Sequence, residues 1–274
     1  MVAHRLNRLF DPKAGRCLAV AVDHGFPGEV DMLEGIEDVE PVIDTLVEAG
    51  PDALLLTPGT APLLQKHVGR TRPALVLRLD VPDVYGAEHP EHPSSTMMSD
   101  PVELAVRLDA ACVVINLLDV PGKPSLRREC LENAASLRAA CDRAGMPLMI
   151  EPVPFTEAAR GYDVQRDPRR LIGLVRQAVE LGADVIKADP LSEPAEFARL
   201  VKVARVPLLI RGGGRIDERE LLDGTAAVLQ GGAAGLVYGR NVIQHRDPSA
   251  MTRALRALVH DGASAAVAAG GLAA

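Results

Sequence analysis

Lys187 closes a short apolar run, Gly182-Ala183-Asp184-Val185-Ile186-Lys187, that begins where a helical pattern stops at Leu181-Gly182. A run that is apolar on both faces reads as a strand of a buried parallel sheet. Desolvation disfavours an ammonium, so a lysine at the end of such a strand is a candidate nucleophilic amine, suited to forming a Schiff base with a carbonyl carbon. The plainer alternative is a lysine whose head reaches water or pairs with Asp184 or Asp189. Glu151 ends another apolar run, just before Pro152. Its apolar company from Leu148 to Phe155 predicts a raised pKa and proton shuttling, and the alternative is an ion pair with Arg78, Arg211 or Lys187. Asp23, in Asp23-His24-Gly25, could orient a substrate hydroxyl, carry protons, or simply cap the loop that follows; His24 is a further acid/base candidate.

Two glycine-bearing turns add a second kind of chemistry. Gly212-Gly213-Gly214 follows a run ending in Arg211, and Gly239-Arg240 follows a run ending in Tyr238. Glycines let backbone N–H groups approach phosphate oxygens, and Arg211 or Arg240 could add a charged donor. Glycines also make tight strand-to-helix turns with no ligand at all. His24, His89 and His92 have no metal-binding spacing such as HExxH, so no metal and no cofactor is expected.

The elements that must position these groups alternate between strand-like and helix-like runs, which points to an α/β fold with a parallel sheet. Eight strands are expected: 17–23, 53–57, 74–79, 111–117, 147–152, 183–187, 207–211 and 235–238. Helices are expected over about 37–49, from about Pro62, and over 125–144, 168–181, 193–204, 218–230 and 248–260. Asp-Pro pairs at 100, 167 and 247 supply an N-cap and a first-turn proline. Residues 81–99 read as a long loop over one end, and the Ala/Gly-rich stretch 262–274 as either a frayed helix or a disordered tail. Eight strands separated by helices count out to one (β/α)8 TIM barrel domain over residues 1–274. The competing doubly wound sheet lacks a GxGxxG turn after its first strand. In such a barrel the strand C-termini form the active mouth, and here they carry Asp23, Thr57, Arg78 with Asp80, Asn116 with Asp119, Glu151, Lys187, Arg211 and Tyr238.

Composition bounds the partners. The net charge of −7 argues against nucleic acid, and no uncharged apolar stretch reaches the length of a membrane span. Cys17, Cys112, Cys130 and Cys141 have no CxxC spacing and read as reduced structural thiols of a soluble, cytoplasmic protein. Five lysines stand against twenty-five arginines, which singles out a strand lysine as an amine chosen because it can lose its proton.

With Ala21-Val22-Asp23-His24-Gly25, the Lys187 strand, the glycine triplet and Tyr238-Gly239-Arg240-Asn241 in place, the chain resembles the archaeal-type class I fructose-bisphosphate aldolases. These lie within the deoxyribose-phosphate aldolase-like group, and the likeness runs from about Leu6 to His260. Relatives of that group include transaldolase-type synthases and a thiolase acting on a phosphorylated intermediate. The resemblance implies a metal-independent aldehyde-lyase with a Schiff base at Lys187, a substrate-orienting carboxylate at Asp23, and phosphate held at Gly213-Gly214 and Gly239-Arg240. It also implies a phosphorylated ketose as substrate and a homo-oligomer, often a decamer. Where many members place a tyrosine acid/base before a proline on strand five, this chain has Glu151-Pro152. Two other expectations stay open: a barrel isomerase or synthase acting without a covalent bond, and a non-catalytic sugar-phosphate binder.

Overall fold

The computed structural model describes residues 2–69, 72–85, 92–159 and 161–272. After a four-residue helix α1 (Ala3–Leu6) the chain enters β1 (Cys17–Ala21), then α2 (Val39–Ala49), β2 (Ala53–Leu56), α3 (Ala61–Gln65) and β3 (Ala74–Arg78). A hairpin, β4 (Asp80–Asp83) with β5 (Ser94–Met97), precedes α4 (Pro101–Arg107), β6 (Ala110–Asp119) and α5 (Pro124–Ala144). Next come β7 (Leu148–Glu157), β8 (Tyr162–Val164), α6 (Pro168–Glu180), β9 (Val185–Ala188), α7 (Pro194–Ala204) and β10 (Leu208–Arg211). The chain ends with α8 (Glu218–Gln230), β11 (Gly235–Tyr238), α9 (Arg240–Ile243), α10 (Pro248–His260) and α11 (Ala265–Gly270).

Strands β1, β2, β3, β6, β7, β9, β10 and β11 pair side by side, and the β6–β7 pairing closes the ring. Every pairing in that ring is parallel, so the expected (β/α)8 barrel is the observed fold. Two antiparallel additions decorate the mouth: β8 folds back on β7, and β4 pairs with β5. The second of these replaces part of the loop expected over 81–99. Thr96 pairs with Val81 and Met97 with Asp80, so backbone pairing orders segments whose side chains carry little apolar signal. The middle of that stretch, with His89, lies outside the described residues.

Successive strand residues point to opposite faces, and here the two faces differ in size rather than polarity. The barrel interior is filled mostly by small side chains: Cys17, Ala19, Ala21, Ala53, Ala74, Val76, Cys112, Val114, Val185 and Val237 cluster with Leu55, Met149 and Leu209. The alternate positions, Leu18, Val20, Leu54, Leu56, Leu75, Leu77, Val113 and Ile115, pack outward against the helices. Small inward residues let eight strands close tightly, and large outward residues supply most of the apolar area that helix docking buries.

Local chemistry starts and ends the helices. Asp167 accepts from the Arg169 N–H at 3.1 Å and Asp247 from that of Ala250 at 2.8 Å, as their Asp-Pro pairs imply. Asp100 departs from that expectation: it sits at φ 46° and makes no side-chain cap. Its carboxylate therefore satisfies none of the first-turn amides, and Pro101 alone favours helix entry. Within the stretch after Gly262, Ala265–Gly270 form the short helix α11, capped by Ser264 and anchored by buried Ala268. All four cysteines are free and buried.

Closure between the first and last strands rests on Gly235, which pairs with Cys17 at φ +147°. A Cβ there would lie 1.9 Å from the Cys17 carbonyl oxygen. Gly235→Ala is expected to lower stability by about 3 kcal/mol or more, read as a fall in the denaturant midpoint, because neither the backbone angle nor the adjacent strand tolerates the methyl.

Candidate active site

The alternation that fills the barrel also builds its mouth. Continuing the inward-facing positions two residues further along each strand gives Asp23 after Ala21, Arg78 after Val76, Asn116 after Val114, Glu151 after Met149, Lys187 after Val185, Arg211 after Leu209 and Gly239 after Val237. All seven line one cavity of about 110 Å³, together with His24, Gly212, Gly213 and Arg240. Four other expected strand-end residues do not: Asp80, which is fully buried, and Tyr238, Asp119 and Thr57. Tyr238 falls on the outward parity, and its hydroxyl shares a 3.0 Å hydrogen bond with Thr225 Oγ1 beneath α8. Asp119 is paired with Arg127 at 3.2 Å and with Arg170 at 2.5 Å. Thr57 turns back to Thr60, 3.0 Å away.

Arg78 crosses the mouth. It donates through Nε to Asp23 at 2.9 Å, through Nη1 to Asp80 at 3.4 Å and through Nη2 to Glu151 at 2.6 Å. Asp80, fully buried, also accepts from the Asn116 backbone N–H at 2.9 Å and side-chain amide at 3.0 Å, and from Ser95 Oγ at 3.2 Å. Each oxygen therefore has a donor, which is the condition for a carboxylate to remain charged in the interior.

Lys187 is 5% exposed and its Nζ lies 2.9 Å from Glu151 Oε2. Its partner is thus Glu151, not Asp184 or Asp189. Asp184 sits at the opposite end of the strand, accepting from Arg138 at 2.8 Å and the Leu148 N–H at 2.9 Å. Asp189 takes Arg211 in a two-point grip, 3.2 Å to Nε and 2.8 Å to Nη2, while Arg211 Nη1 approaches Glu151 Oε1 at 3.5 Å. Glu151 consequently meets three cations. Burial pushes its carboxyl up, but Lys187, Arg78 and Arg211 outweigh burial and hold it well below the usual carboxylate range. This corrects the sequence expectation of a raised value, which counted apolar neighbours and not the cations arriving from other strands. Asp23 behaves alike: burial raises it, and Arg78, Lys187 and His24 bring it below its ordinary value.

The glycine turns meet at one corner of the mouth. Gly239 packs so closely on His24 that a Cβ would stand 2.2 Å from the imidazole Cε1. Gly213 adopts φ +65°, and a Cβ on it would meet Arg166 at 3.2 Å. Gly214 does not line the cavity; its carbonyl and that of Gly212 accept from the Asn241 side-chain amide at 3.0 and 2.9 Å, which ties the two turns together. Burial lowers the His24 pKa and leaves the ring neutral at pH 7. His24 Nδ1 and Arg240 Nε are both buried without a hydrogen-bond partner. Arg211, in contrast, spends its donors on Asp189 and Glu151, whereas Arg240, at the expected anion position, forms no ion pair among the described residues.

Two participants, Tyr85 and Asp189, were not expected as site residues from the sequence, although Asp189 was named as a possible partner of Lys187. Tyr85, just past β4, lines the cavity and stacks edge-on against Phe155, centroids 5.9 Å apart at 63°. Burial pushes its phenol up to about 12, so it stays a hydroxyl donor through the working range. Nothing local marks it, because it reaches the mouth through a hairpin between strands. Asp189 carried a signal, its place two residues after Lys187, yet its partner Arg211 lies on a different strand. Among the described residues no group of three or more His, Cys, Asp or Glu side chains could hold a metal ion, and no helix is long and apolar enough to cross a membrane.

With this geometry in hand, the sequence pattern of the DeoC/LacD family aldolases matches residues 17–245. The chain belongs to that family. A 2-amino-3,7-dideoxy-D-threo-hept-6-ulosonate synthase of Halobacterium salinarum is 33% identical over 272 residues, 98% of this chain and 96% of the relative. A 3-hydroxy-5-phosphonooxypentane-2,4-dione thiolase of Escherichia coli is 31% identical, with 95% of this chain and 83% of the relative covered. Among solved structures, an archaeal fructose-1,6-bisphosphate aldolase, with its catalytic lysine covalently bound to the carbinolamine intermediate of the substrate, superposes with a TM-score of 0.77 at 29% identity. That match covers 94% of this chain and 99% of the other. The family is therefore one of enzymes with several distinct reactions, and membership supports an enzyme while leaving the particular carbon–carbon chemistry to the site.

For this DeoC/LacD member the ion-paired mouth has a measurable cost in acid. Asp23 and Glu151 titrate lower when folded than unfolded, so their contribution is complete above the unfolded carboxylate pKa of about 4 and is lost as pH falls toward the folded values. Glu151→Gln is expected to lose about 3 kcal/mol at pH 7, since three cations lose a shared anion. The gap should narrow below about pH 4, because the unfolded parent takes up a proton there while the folded carboxylate, held low by its cations, does not. Thermal unfolding of both proteins from pH 3 to 8 checks this; a gap independent of pH contradicts it.

Proposed function

We propose that this protein is a Schiff-base, class I aldolase that breaks or forms a carbon–carbon bond in a phosphorylated ketose. The observation that carries this reading is Lys187: a buried amine at the mouth of the barrel, 2.9 Å from a carboxylate and inside the cavity that the glycine turns share. In the cleavage direction the amine, after passing a proton to Glu151 or to solvent, attacks the ketone carbon and gives a carbinolamine. Loss of water then leaves an iminium ion. That cation is an electron sink, so the bond between carbons three and four breaks with its electron pair moving into an enamine while the carbon-four hydroxyl loses its proton and leaves as an aldehyde.

The surrounding residues have matching tasks. Glu151, an ionised carboxylate beside the nitrogen, is the group placed to accept the hydroxyl proton and return it to the enamine carbon. Asp23, fixed by Arg78, orients substrate hydroxyls. Backbone amides at Gly213 and Gly239, with Arg240, hold a phosphate, so that binding energy remote from the reacting bond fixes its orientation. The close match to the carbinolamine-bearing archaeal structure supports the covalent route. The synthase and thiolase relatives set the range of donors and acceptors within which the substrate falls. Glu151 does the proton work that the resembling aldolases give to a tyrosine.

Borohydride reduction in the presence of dihydroxyacetone phosphate should add the reduced three-carbon phosphate to the Lys187 peptide, read by mass spectrometry; an unmodified Lys187 removes the covalent mechanism. Lys187→Met is expected to lower kcat/KM by about four orders of magnitude, whereas a barrel isomerase acting without a covalent bond keeps substantial activity in this variant. Arg240→Ala should raise KM for a phosphorylated substrate by about 10- to 100-fold, the effect of one charge-assisted hydrogen bond, with a smaller change in kcat.

A further inference from the structure

Making or breaking the bond between carbons three and four moves charge onto the carbon-four oxygen, a hydroxyl in the ketose and a carbonyl in the aldehyde. A neutral donor aimed at that oxygen lowers the barrier in both directions, because negative charge builds there in the transition state. The barrel fixes the side from which such a donor comes. The glycine turns follow β10 and β11, and around the ring β3 stands three places from β11 and β6 three places from β10, across the mouth. Lys187 on β9 and Glu151 on β7 occupy the arc between. A substrate with its phosphate at the glycine turns and its ketone carbon at Lys187 therefore extends its aldehyde half past Glu151 toward β6 and β3.

Between β3 and β6 the chain forms the β4–β5 hairpin, and Tyr85 follows β4 by two residues. The hairpin is pinned in place. Ser95 Oγ donates to Asp80 at 3.2 Å, the Ser95 N–H donates to Glu129 at 3.0 Å, and the Ser95 carbonyl accepts from Asn133 at 2.9 Å. These bonds tie β5 both to the Arg78 cluster and to α5. From that base the Tyr85 ring reaches β7 and stacks against Phe155, which lies four residues beyond Glu151 and on the same face of the strand by alternation. Phe155 is backed in turn by Tyr162 of β8, centroids 6.5 Å apart. Tyr85 thus lines the cavity beside Glu151, Lys187 and Arg211. Burial outweighs the pull of Arg211 and keeps the phenol protonated, so the group offers an O–H and not an anion.

We propose that the Tyr85 hydroxyl hydrogen-bonds the carbon-four oxygen of the substrate and activates the aldehyde half of the reaction. The phenol O–H stays intact throughout. Glu151 takes the proton of the carbon-four hydroxyl in cleavage and supplies one to that oxygen in condensation, while Tyr85 stabilises the charge in transit. Lys187 and Glu151 carry out the ketone half, iminium formation and proton exchange at carbon three, without Tyr85. This deepens the Schiff-base reading and rests on it, so the test separates the two halves.

Tyr85→Phe keeps the ring against Phe155 and removes the hydroxyl. It is compared with the parent in borohydride trapping of Lys187 by dihydroxyacetone phosphate and in deuterium uptake from heavy water at the hydroxymethyl carbon of that compound. The third comparison is condensation of the same compound with glyceraldehyde or glyceraldehyde 3-phosphate. An adduct in the parent is required by the covalent mechanism; its absence is a failure of that reading and takes this proposal with it. Given the adduct, Tyr85→Phe is expected to keep parental trapping and deuterium uptake and to lower kcat for condensation about 100-fold, the effect of losing one donor to a developing oxyanion. Equal condensation by the two proteins overturns the proposal. So does a loss of trapping, or of deuterium uptake in step with condensation, which assigns Tyr85 to the ketone half or to the fold. A parent that takes up deuterium yet condenses with neither aldehyde also counts against it, because no aldehyde is then activated at this mouth.

Discussion

Arg78 occupies a position that no other side chain in the mouth could fill. A guanidinium does not lose its proton at any accessible pH, and its planar fork can face three acceptors at once. Here those acceptors come from just past β1, from the hairpin after β3 and from β7, so one permanent cation joins Asp23, Asp80 and Glu151 and helps to keep Asp23 and Glu151 ionised in an interior that otherwise favours their neutral forms. Without that charge the carboxylates would take up protons or repel one another, and Glu151 could not stand beside Lys187 as an anion. Arg211, held at two points by Asp189, brings a second guanidinium beside Glu151 on the other flank. Lys187 and Glu151 are thus embedded between two arginines that are themselves paired with carboxylates.

In the proposed mechanism that embedding lets a carboxylate serve where the resembling aldolases use a tyrosine. A phenol holds its proton through neutral pH, while Glu151 in this setting gives its proton up. In the proposed reaction it starts as a base, and its proton affinity would rise as the neighbouring charges change. Lys187, 2.9 Å away, is the one of those charges that the proposed Schiff base would convert, which would alter the pairing that holds Glu151 low. The phenol in the cavity, Tyr85, comes from a different part of the fold and remains a donor.

Packing decides who belongs to this site. The inward parity of each strand carries small residues through the barrel and then a functional group at the mouth, so the side chains that close the cylinder and those that do chemistry are successive members of one row. A one-residue shift in register would exchange the rows and bury the charges under the helices. Tyr238 shows the consequence: its row is the outer one, and it holds α8 through Thr225 instead of facing substrate. The Asn241 amide, by joining the two glycine turns, fixes the anion corner relative to Lys187.

Much of this was legible in the chain itself. Alternating apolar runs, Asp-Pro helix starts and glycine stops dictate eight strands and their helices, because these are local signals of propensity and capping. The strand ends name Asp23, Glu151, Lys187 and the glycine turns as candidates, since buried strands rarely end in charge without cause. What the sequence could not determine is which charge meets which. Both faces of a barrel strand are apolar, so polarity gives no parity, and only residue size hints at the inner row. The pairing of Lys187 with Glu151, the lowered rather than raised carboxyl, the commitment of Arg211 to Asp189 and the arrival of Tyr85 all join residues distant in sequence. Coulomb energy depends on separations of a few ångströms in space, and those separations exist only once β6 has met β7 and the cylinder is closed.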